Sequence, residues 1–496
     1  MKKNLSKEYY AFFALILFIS LFLSFLTKGS FFVNDDFTML DLKFKNYWEA
    51  FLFVDLWWRP IKSIFYNFFN NNFFLNSHLI ILFKIFIHAS LTIVIFFYLI
   101  NLKHRKTTVL LLSLLFFIAQ TSVTAVIGVD TLGQLIFTFF GILSFISLES
   151  FTKTKNNYKL LFLSYVFYVL AILGKESAII FFFINSFFII YYSKINFFNK
   201  KKDTFNIKMS FTIIFLFFLI FLIYFSIRFY LGANWMPNFD DNRTSFVFNE
   251  NVILNFIYYF SSIVNPFDNS FIYFLFKEKY YFFLFFIIIF LLLIYFVIFL
   301  KIEFSKNLIL LLISSVPTIF LNHIAELYTY VSVFFFILLI SDCLKKKDSL
   351  RLVKIKKSFI LILVFLNFIS FSLKTYNMTY LSRLSSNFFY VMSNSKNEFN
   401  DKLVYYLNKD FKNISYSNFK MTNLNQIFPI YVLSKNTGYN IENTRIDNLK
   451  INGSNNAIFI NLSYKNNFKY FNNFFAQPCI LLQTNSGLLI KEICGY

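Results

Sequence analysis

The chain has 496 residues, 58% of them hydrophobic and only 15% charged, and its mean hydropathy is +0.60. A water-soluble domain carries about a quarter charged residues, so this composition excludes a single soluble globule and makes lipid the expected solvent. The net charge of +22 suits an anionic membrane surface rather than nucleic acid, because Lys and Arg sit mostly in short loops between apolar runs.

A helix needs about 20 apolar residues to cross a bilayer. In chain order, spans are expected at 10–27, 78–102, 109–129, 132–148, 158–173, 177–192, 211–231, 280–300, 308–321, 327–343 and 359–373, about eleven in all. The first has a long apolar stretch and no small-x-small cleavage site, so it reads as a retained span rather than a signal peptide. The loop at 27–77 is too long to be idle, and its Trp48, Phe51, Phe53, Trp57 and Trp58 suit segments lying in the interface. A further apolar piece, 252–264, is too short to span and reads as interfacial or re-entrant.

Alternate loops differ in charge. One set carries Lys2, Lys3 and Lys7, then Lys103, Arg105 and Lys106, then Lys153 and Lys155, then Lys200 to Lys202, then Lys301 and Lys306, then Lys345 to Lys347. The other is mixed or acidic, with Asp35, Asp36, Asp41, Glu49 and Asp55, and later Asp240, Asp241, Glu250 and Asp268. The positive-inside rule puts the first set, and the N-terminus, in the cytoplasm. An odd span count then places the polar tail outside. Short strands are expected there near 457–462 and 479–482. The expected architecture is an all-α polytopic membrane domain over 1–373 and a small α/β extracytoplasmic domain over 374–496. In an oxidising compartment, Cys479 and Cys494 of that tail are a candidate pair.

The unusual polar residues fall on the outer membrane face, in loops or at the outer ends of spans: Asn34-Asp35-Asp36, Trp58-Arg59-Pro60, His78, Asp130, Lys175-Glu176, Arg228, and Asn322-His323 with Glu326. Ionisable residues at the edge of lipid are costly and usually functional. Each also has a plainer reading. The acid pair suits a solvated turn or a helix N-cap, Lys175-Glu176 an ion pair in a tight turn, and Arg228 a cation snorkelling to headgroups. Lys84 and His88, at i and i+4, read as structural partners of another helix.

The ordered set Asn34-Asp35-Asp36-Phe37, Trp58-Arg59-Pro60, His88, Gly128-Val129-Asp130, Leu173-Gly174-Lys175-Glu176-Ser177-Ala178 and Ala325-Glu326-Leu327-Tyr328-Thr329-Tyr330 resembles the GT-C membrane glycosyltransferases of the protein O-mannosyltransferase class. The likeness is closer to their multi-span, TPR-bearing branch, over residues 8–343. The chain departs from that pattern at Leu327 and Val129, where the family has Arg. It departs again at Ile81 and Lys84, where a His and an Asn would stand, and its tail shows no TPR period.

The resemblance implies transfer of a sugar from a polyprenyl-phosphate donor to a protein or envelope glycan or lipid acceptor, in a plasma membrane of bacterial inner-membrane type. Such an inverting displacement needs a carboxylate to take the acceptor proton and cations to stabilise the departing phosphate. Asp35 is the implied base with Asp36 as its neighbour, and Lys175 and Arg228 are the implied phosphate ligands. Arg59, His78, Asp130, Glu176, His323 and Glu326 are candidates for positioning substrate. No cofactor is required by this reading, and a divalent metal ion held by Asp130, His323 and Glu326 is left open. The alternatives are a polysaccharide polymerase or ligase, and a lipid-glycan transporter. A transporter would show paired half-repeats and charges at mid-membrane.

Overall fold

In the computed structural model, residues 7–32, 44–54, 57–73, 76–154, 157–198, 207–233, 251–269, 279–300, 305–321, 326–344 and 349–394 are described, with 42, 271, 272 and 275 and the strands of the tail. The helices are α1 (Lys7–Leu26), α2 (Tyr47–Leu52), α3 (Pro60–Asn72), α4 (Ser77–Asn101), α5 (Lys106–Phe117), α6 (Ser122–Ile127), α7 (Leu132–Lys153) and α8 (Tyr158–Gly174). They continue with α9 (Ile179–Phe198), α10 (Ile207–Tyr230), α11 (Asn251–Val264), α12 (Tyr281–Phe299), α13 (Lys306–Ile319), α14 (Tyr330–Asp342) and α15 (Leu350–Asn394). Single 3₁₀ turns at Glu176–Ala178 and Glu326–Thr329 lead into α9 and α14.

Among the described residues, six helical segments are long and apolar enough to cross a membrane: Tyr9–Leu26, Ser77–Asn101, Leu132–Lys153, Glu176–Ser193, Lys208–Tyr230 and Tyr281–Phe299. The chain is a membrane protein built on helices. Lys106–Phe117, Tyr158–Gly174, Lys306–Val316 and Leu327–Asp342 are apolar but shorter, so four of the eleven expected spans fall short of full span length, while the eleventh, 359–373, lies within a longer helix. Lipid-facing rings such as Phe18, Phe25, Phe211, Phe282 and Phe296 are exposed, as expected where hydrocarbon is the solvent.

The segment expected as one span at 109–129 is broken. α5 stops at Phe117, and α6 begins only at Ser122. The polar run Gln120-Thr121-Ser122 interrupts the helix, and non-helical backbone at membrane depth needs internal partners. Buried side chains supply them. His88 Nε2 lies 2.8 Å from Phe117 O while its Nδ1 is 2.5 Å from the Tyr330 hydroxyl. The Gln120 N–H donates to Asn367 Oδ1 at 3.1 Å. Lys84 Nζ donates to Gly128 O and, at 2.6 Å, to Thr131 Oγ1. His88 thus holds the α5 side of the break and Lys84 the turn between α6 and α7, the structural role expected of that pair.

Close packing of α7 on α8 rests on two glycines. A Cβ on Gly133 would stand 3.0 Å from Gly174 O, and one on Gly174 would stand 2.7 Å from Ile136 Cγ2. Small residues let helix backbones approach in this way, and here they bring the start of α7 against the end of α8.

α15 has 45 residues, about 67 Å at 1.5 Å per residue, more than twice the hydrocarbon thickness of about 30 Å. It contains the expected span at 359–373 and runs without interruption through Lys374, where the tail was expected to begin, to Asn394. Its buried Thr375, Thr379, Ser382 and Ser385 repeat at helical spacing, which carries the helix past its apolar stretch. The described tail is a five-stranded sheet in the order β2-β1-β3-β4-β5, with β1 at Val404–Leu407, β2 at Ile441–Glu442, β3 at Ala457–Lys465, β4 at Gln477–Thr484 and β5 at Leu489–Ile493. β1 pairs parallel with β2 and β3, whereas β3, β4 and β5 pair antiparallel. Cys494, one half of the candidate pair, lies outside the described residues.

Candidate functional site

The site is assembled where α3, α7, α8 and α10 meet. Trp58 anchors the incoming loop: its ring is buried and stacks on Tyr224 of α10 at 5.3 Å, its Nε1 donates to Phe51 O at 2.8 Å, and its carbonyl accepts from Tyr224 Oη at 2.9 Å. Pro60 then starts α3, a position that suits its fixed φ and missing N–H. Between these two anchors Arg59 reaches across to Glu176. Its Nε and Nη2 donate to Oε2 and Oε1 at 2.7 and 2.5 Å, the two-pronged geometry that matches a guanidinium to a carboxylate.

Lys175 sits in the tight turn between α8 and the 3₁₀ turn Glu176–Ala178. Its Nζ donates to Gln134 Oε1 at 2.8 Å and lies 5.3 Å from the centre of the Tyr328 ring. Gln134, buried on the first turn of α7, uses its amide Nε2 to donate to Leu327 O at 2.8 Å. One side chain thus ties the lysine to the 3₁₀ turn Glu326–Thr329. Arg228, near the end of α10, is buried with its guanidinium 4.8 Å from the Trp57 ring and 5.5 Å from that of Phe225. The Arg59 guanidinium lies 5.5 Å from the same Trp57 ring, so one indole joins two arginines.

Among the described residues, this cluster holds more cations than carboxylates. Burial first, then the neighbouring Arg59 and Lys62 cations, push the Lys175 ammonium down to about 7, against the opposing pull of Glu176 and Asp130. Arg59, Lys62, Lys175 and Arg228 therefore gather near two carboxylates, Glu176 and Asp130. A small recess of about 20 Å³ lies beside the lysine's partners Gln134 and Tyr328, lined by the polar Gln134, Ser177, Ser314 and Thr318 and by Phe137, Ile180, Tyr328 and Val331. The lysine thus stands near a small recess with both polar and apolar walls.

Of the residues singled out in the sequence, the structure brings Arg59, Asp130, Lys175, Glu176 and Arg228 together. His78 lies in the first turn of α4 beside Thr27 and Lys28 at the end of α1, not among the residues of this cluster. Asp35, Asp36 and His323 lie outside the described residues, as does the Glu326 side chain, although the Glu326 backbone forms the 3₁₀ turn. Among the described residues, no three His, Cys, Asp or Glu side chains group as a metal site would require.

Three contributors were not singled out in the sequence: Gln134, Lys62 and Trp57. The first two had a readable signal. Gln134 follows Asp130 by one helical turn, and Lys62 follows Arg59 by three residues, a helical neighbour spacing. Trp57 was taken only as an interfacial ring. Compared with known protein families and curated proteins, the chain matches no family model and no curated sequence.

Proposed function

We propose that the chain is an integral membrane glycosyltransferase with a GT-C-like domain of about eleven spans and an extracytoplasmic α/β tail, akin to the protein O-mannosyltransferase class. It moves a sugar from a polyprenyl-phosphate donor to a protein, glycan or lipid acceptor at the outer membrane face. The observation that carries this reading is the excess of cations around Lys175. A polyprenyl-phosphate sugar brings the matching anion: a phosphodiester at the membrane surface, on a hydrocarbon chain in lipid.

The reaction is a displacement at the anomeric carbon. The acceptor hydroxyl forms the new C–O bond as the bond to phosphate oxygen breaks, and the phosphate departs with the electron pair. Asp35 takes the hydroxyl proton. Lys175 and Arg228 stabilise the charge that grows on the phosphate, worth most where water is excluded. Arg59 is held by Glu176, so its role is to place Lys175 and raise the local positive potential.

The test is transfer from a radiolabelled polyprenyl-phosphate sugar in membranes. Asp35→Asn keeps the shape and removes the proton acceptor, so turnover should fall about 10²–10⁴-fold with donor binding retained. Full transfer activity in Asp35→Asn, Asp36→Asn and the double variant would remove the acid pair from the mechanism. Reporter fusions after Lys346 and after Asn397 should report opposite sides of the membrane; both on one side would remove the outer-face site.

A further inference from the structure

α4, α5 and α15 contain no Asp or Glu. The turn from α4 to α5 carries Lys103, His104, Arg105 and Lys106, and the start of α15 carries Arg351, Lys354, Lys356 and Lys357. α15 packs along α5, so the two basic runs meet at one end of the bundle, on the face expected to be cytoplasmic. Lys356 is satisfied within the protein: its buried Nζ donates to Leu300 O and Cys343 O at 3.0 and 2.9 Å. Lys357, the next residue, reaches α5 instead, where its Nζ donates to Thr107 Oγ1 at 2.5 Å. Burial first, and then the Arg105 cation, lower the Lys357 ammonium from its ordinary value. A lysine of one helix and the arginine that leads into another are therefore held within electrostatic reach of each other.

Lys106 Nζ lies 5.8 Å from the centre of the Tyr9 ring, which brings the start of α1 to the same place. α1 has one carboxylate in its sequence, Glu8. Even with Glu8 counted, Arg105, Lys106, Lys354 and Lys357 leave cations in excess. Arg105, Lys106, Thr107 and Lys354 are exposed. The first N–H groups of α5 point the same way in charge, because a helix start leaves them without intrahelical partners and Arg105 at the N-cap supplies no side-chain acceptor. A helix start of this kind favours an anion. Beside the cations the surface is apolar: Phe97 near the end of α4 and Ile355 near the start of α15 are exposed. Basic pockets between helices at an anionic leaflet suit lipid head groups, and the apolar flank gives the acyl chains a place that a free phosphate would not use.

We propose that Arg105, Lys106 and Lys357, with Lys354 at the rim, bind the phosphate of an anionic phospholipid between the start of α5 and the start of α15, its acyl chains lying along Phe97 and Ile355. None of these residues belongs to the Lys175 cluster, and the site stands whether or not the chain is a transferase. The bound anion joins two helices whose cations otherwise repel.

The test uses the full-length protein in mild detergent and native mass spectrometry, which counts bound lipids one at a time. Dioleoyl-phosphatidylglycerol should bind at least tenfold more tightly than dioleoyl-phosphatidylcholine, which has the same chains and no net charge. Arg105→Gln/Lys357→Gln should lower phosphatidylglycerol affinity at least tenfold. Lys159→Gln/Lys208→Gln removes the same charge from two other exposed lysines on the face expected to be cytoplasmic, and should change it less than twofold. Arg105→Lys/Lys357→Arg keeps both charges and should bind as wild type does. A second measurement needs no variant to fold: in wild type, phosphatidylglycerol with a diazirine near its head group should crosslink within residues 97–108 and 351–358. Excess inorganic phosphate at matched ionic strength should leave lipid binding unchanged. Equal affinity of wild type for the two lipids, an equal loss in both glutamine pairs, crosslinks confined to other segments, or displacement by inorganic phosphate would each overturn the lipid site.

Discussion

The two ends of α7 carry two buried charge clusters that differ in kind. Near its end, Glu149 is almost fully buried and saturated: Lys306 Nζ lies 2.7 Å and Lys153 Nζ 3.2 Å from Oε1, and the Tyr98 hydroxyl donates to Oε2. Near its start, fifteen residues or about 22 Å away, Arg59, Lys62, Lys175 and Arg228 gather near Glu176 and Asp130. The first cluster satisfies its carboxylate from within the protein. Among the described residues the second holds more cations than carboxylates, a balance that an anionic ligand would offset. Burial alone therefore does not distinguish a lock from a site. The balance of charge does.

Breaking one member in each cluster separates the two roles. Lys175→Ala should lower transfer by about 10²-fold or more, by analogy with the ~3–5 kcal/mol lost when a buried charge partner is removed, while thermal stability changes little. Glu149→Gln should do the reverse. It leaves Lys306 beside a neutral amide, so stability should fall by roughly 3 kcal/mol, with activity per folded molecule unchanged. The double variant Glu149→Gln/Lys306→Met should recover much of that stability, as a shape-matched neutral pair often does. Thermal unfolding in nanodiscs beside a transfer assay reads both. If Glu149→Gln lowers transfer per folded molecule as strongly as Lys175→Ala does, the distinction between the ends is lost.

A smaller effect follows from pH. The unliganded Lys175 titrates near 7, and the donor phosphodiester does not titrate in that range. Bound phosphate favours the charged amine, so binding takes up a proton above pH 7. Affinity should be flat below about pH 6.5 and weaken toward tenfold per unit above 7. Lys175→Arg, which stays charged throughout, should flatten the slope. A slope that survives in the arginine variant assigns the titration to another group.

The smallest change concerns Gln134. Gln134→Glu is close to isosteric and puts a carboxylate where Lys175 Nζ now donates to an amide oxygen. It should shift the pH profile of donor binding to higher pH by about one unit or more, at unchanged stability. An unshifted profile would show that the amine seen 2.8 Å from Gln134 is not the titrating group.

Much of the helical frame was legible in the sequence, because eleven apolar runs and their punctuation by Lys-rich loops are long-range, redundant signals. Span lengths were less so. Hydropathy averaged over 109–129 hid the Gln120-Thr121-Ser122 break, whose backbone finds partners in His88 and Asn367 from distant parts of the chain. For the same reason α15 was cut short at 373: its continuation buries small hydroxyl side chains that a hydropathy scale reads as polar tail. At the site, Arg59, Lys175, Glu176 and Arg228 stood out as charges at the edges of apolar runs. Gln134 stood out less, since an uncharged amide one turn past Asp130 gains meaning only once its partners are known. Glu149 was passed over because its partners Lys306 and Tyr98 are 157 and 51 residues away.

The central claim is that the cation surplus at the start of α7 receives a lipid-linked phosphate. Equilibrium binding of an undecaprenyl-phosphate sugar to the full-length protein in nanodiscs tests it, with Lys175→Ala and Arg228→Ala compared against Lys306→Ala at the other end of the helix. The account predicts dissociation constants raised about 100-fold in the first two, equivalent to about 2.7 kcal/mol, and unchanged in the third for the fraction that remains folded. Equal affinity in Lys175→Ala, Arg228→Ala and wild type would contradict it.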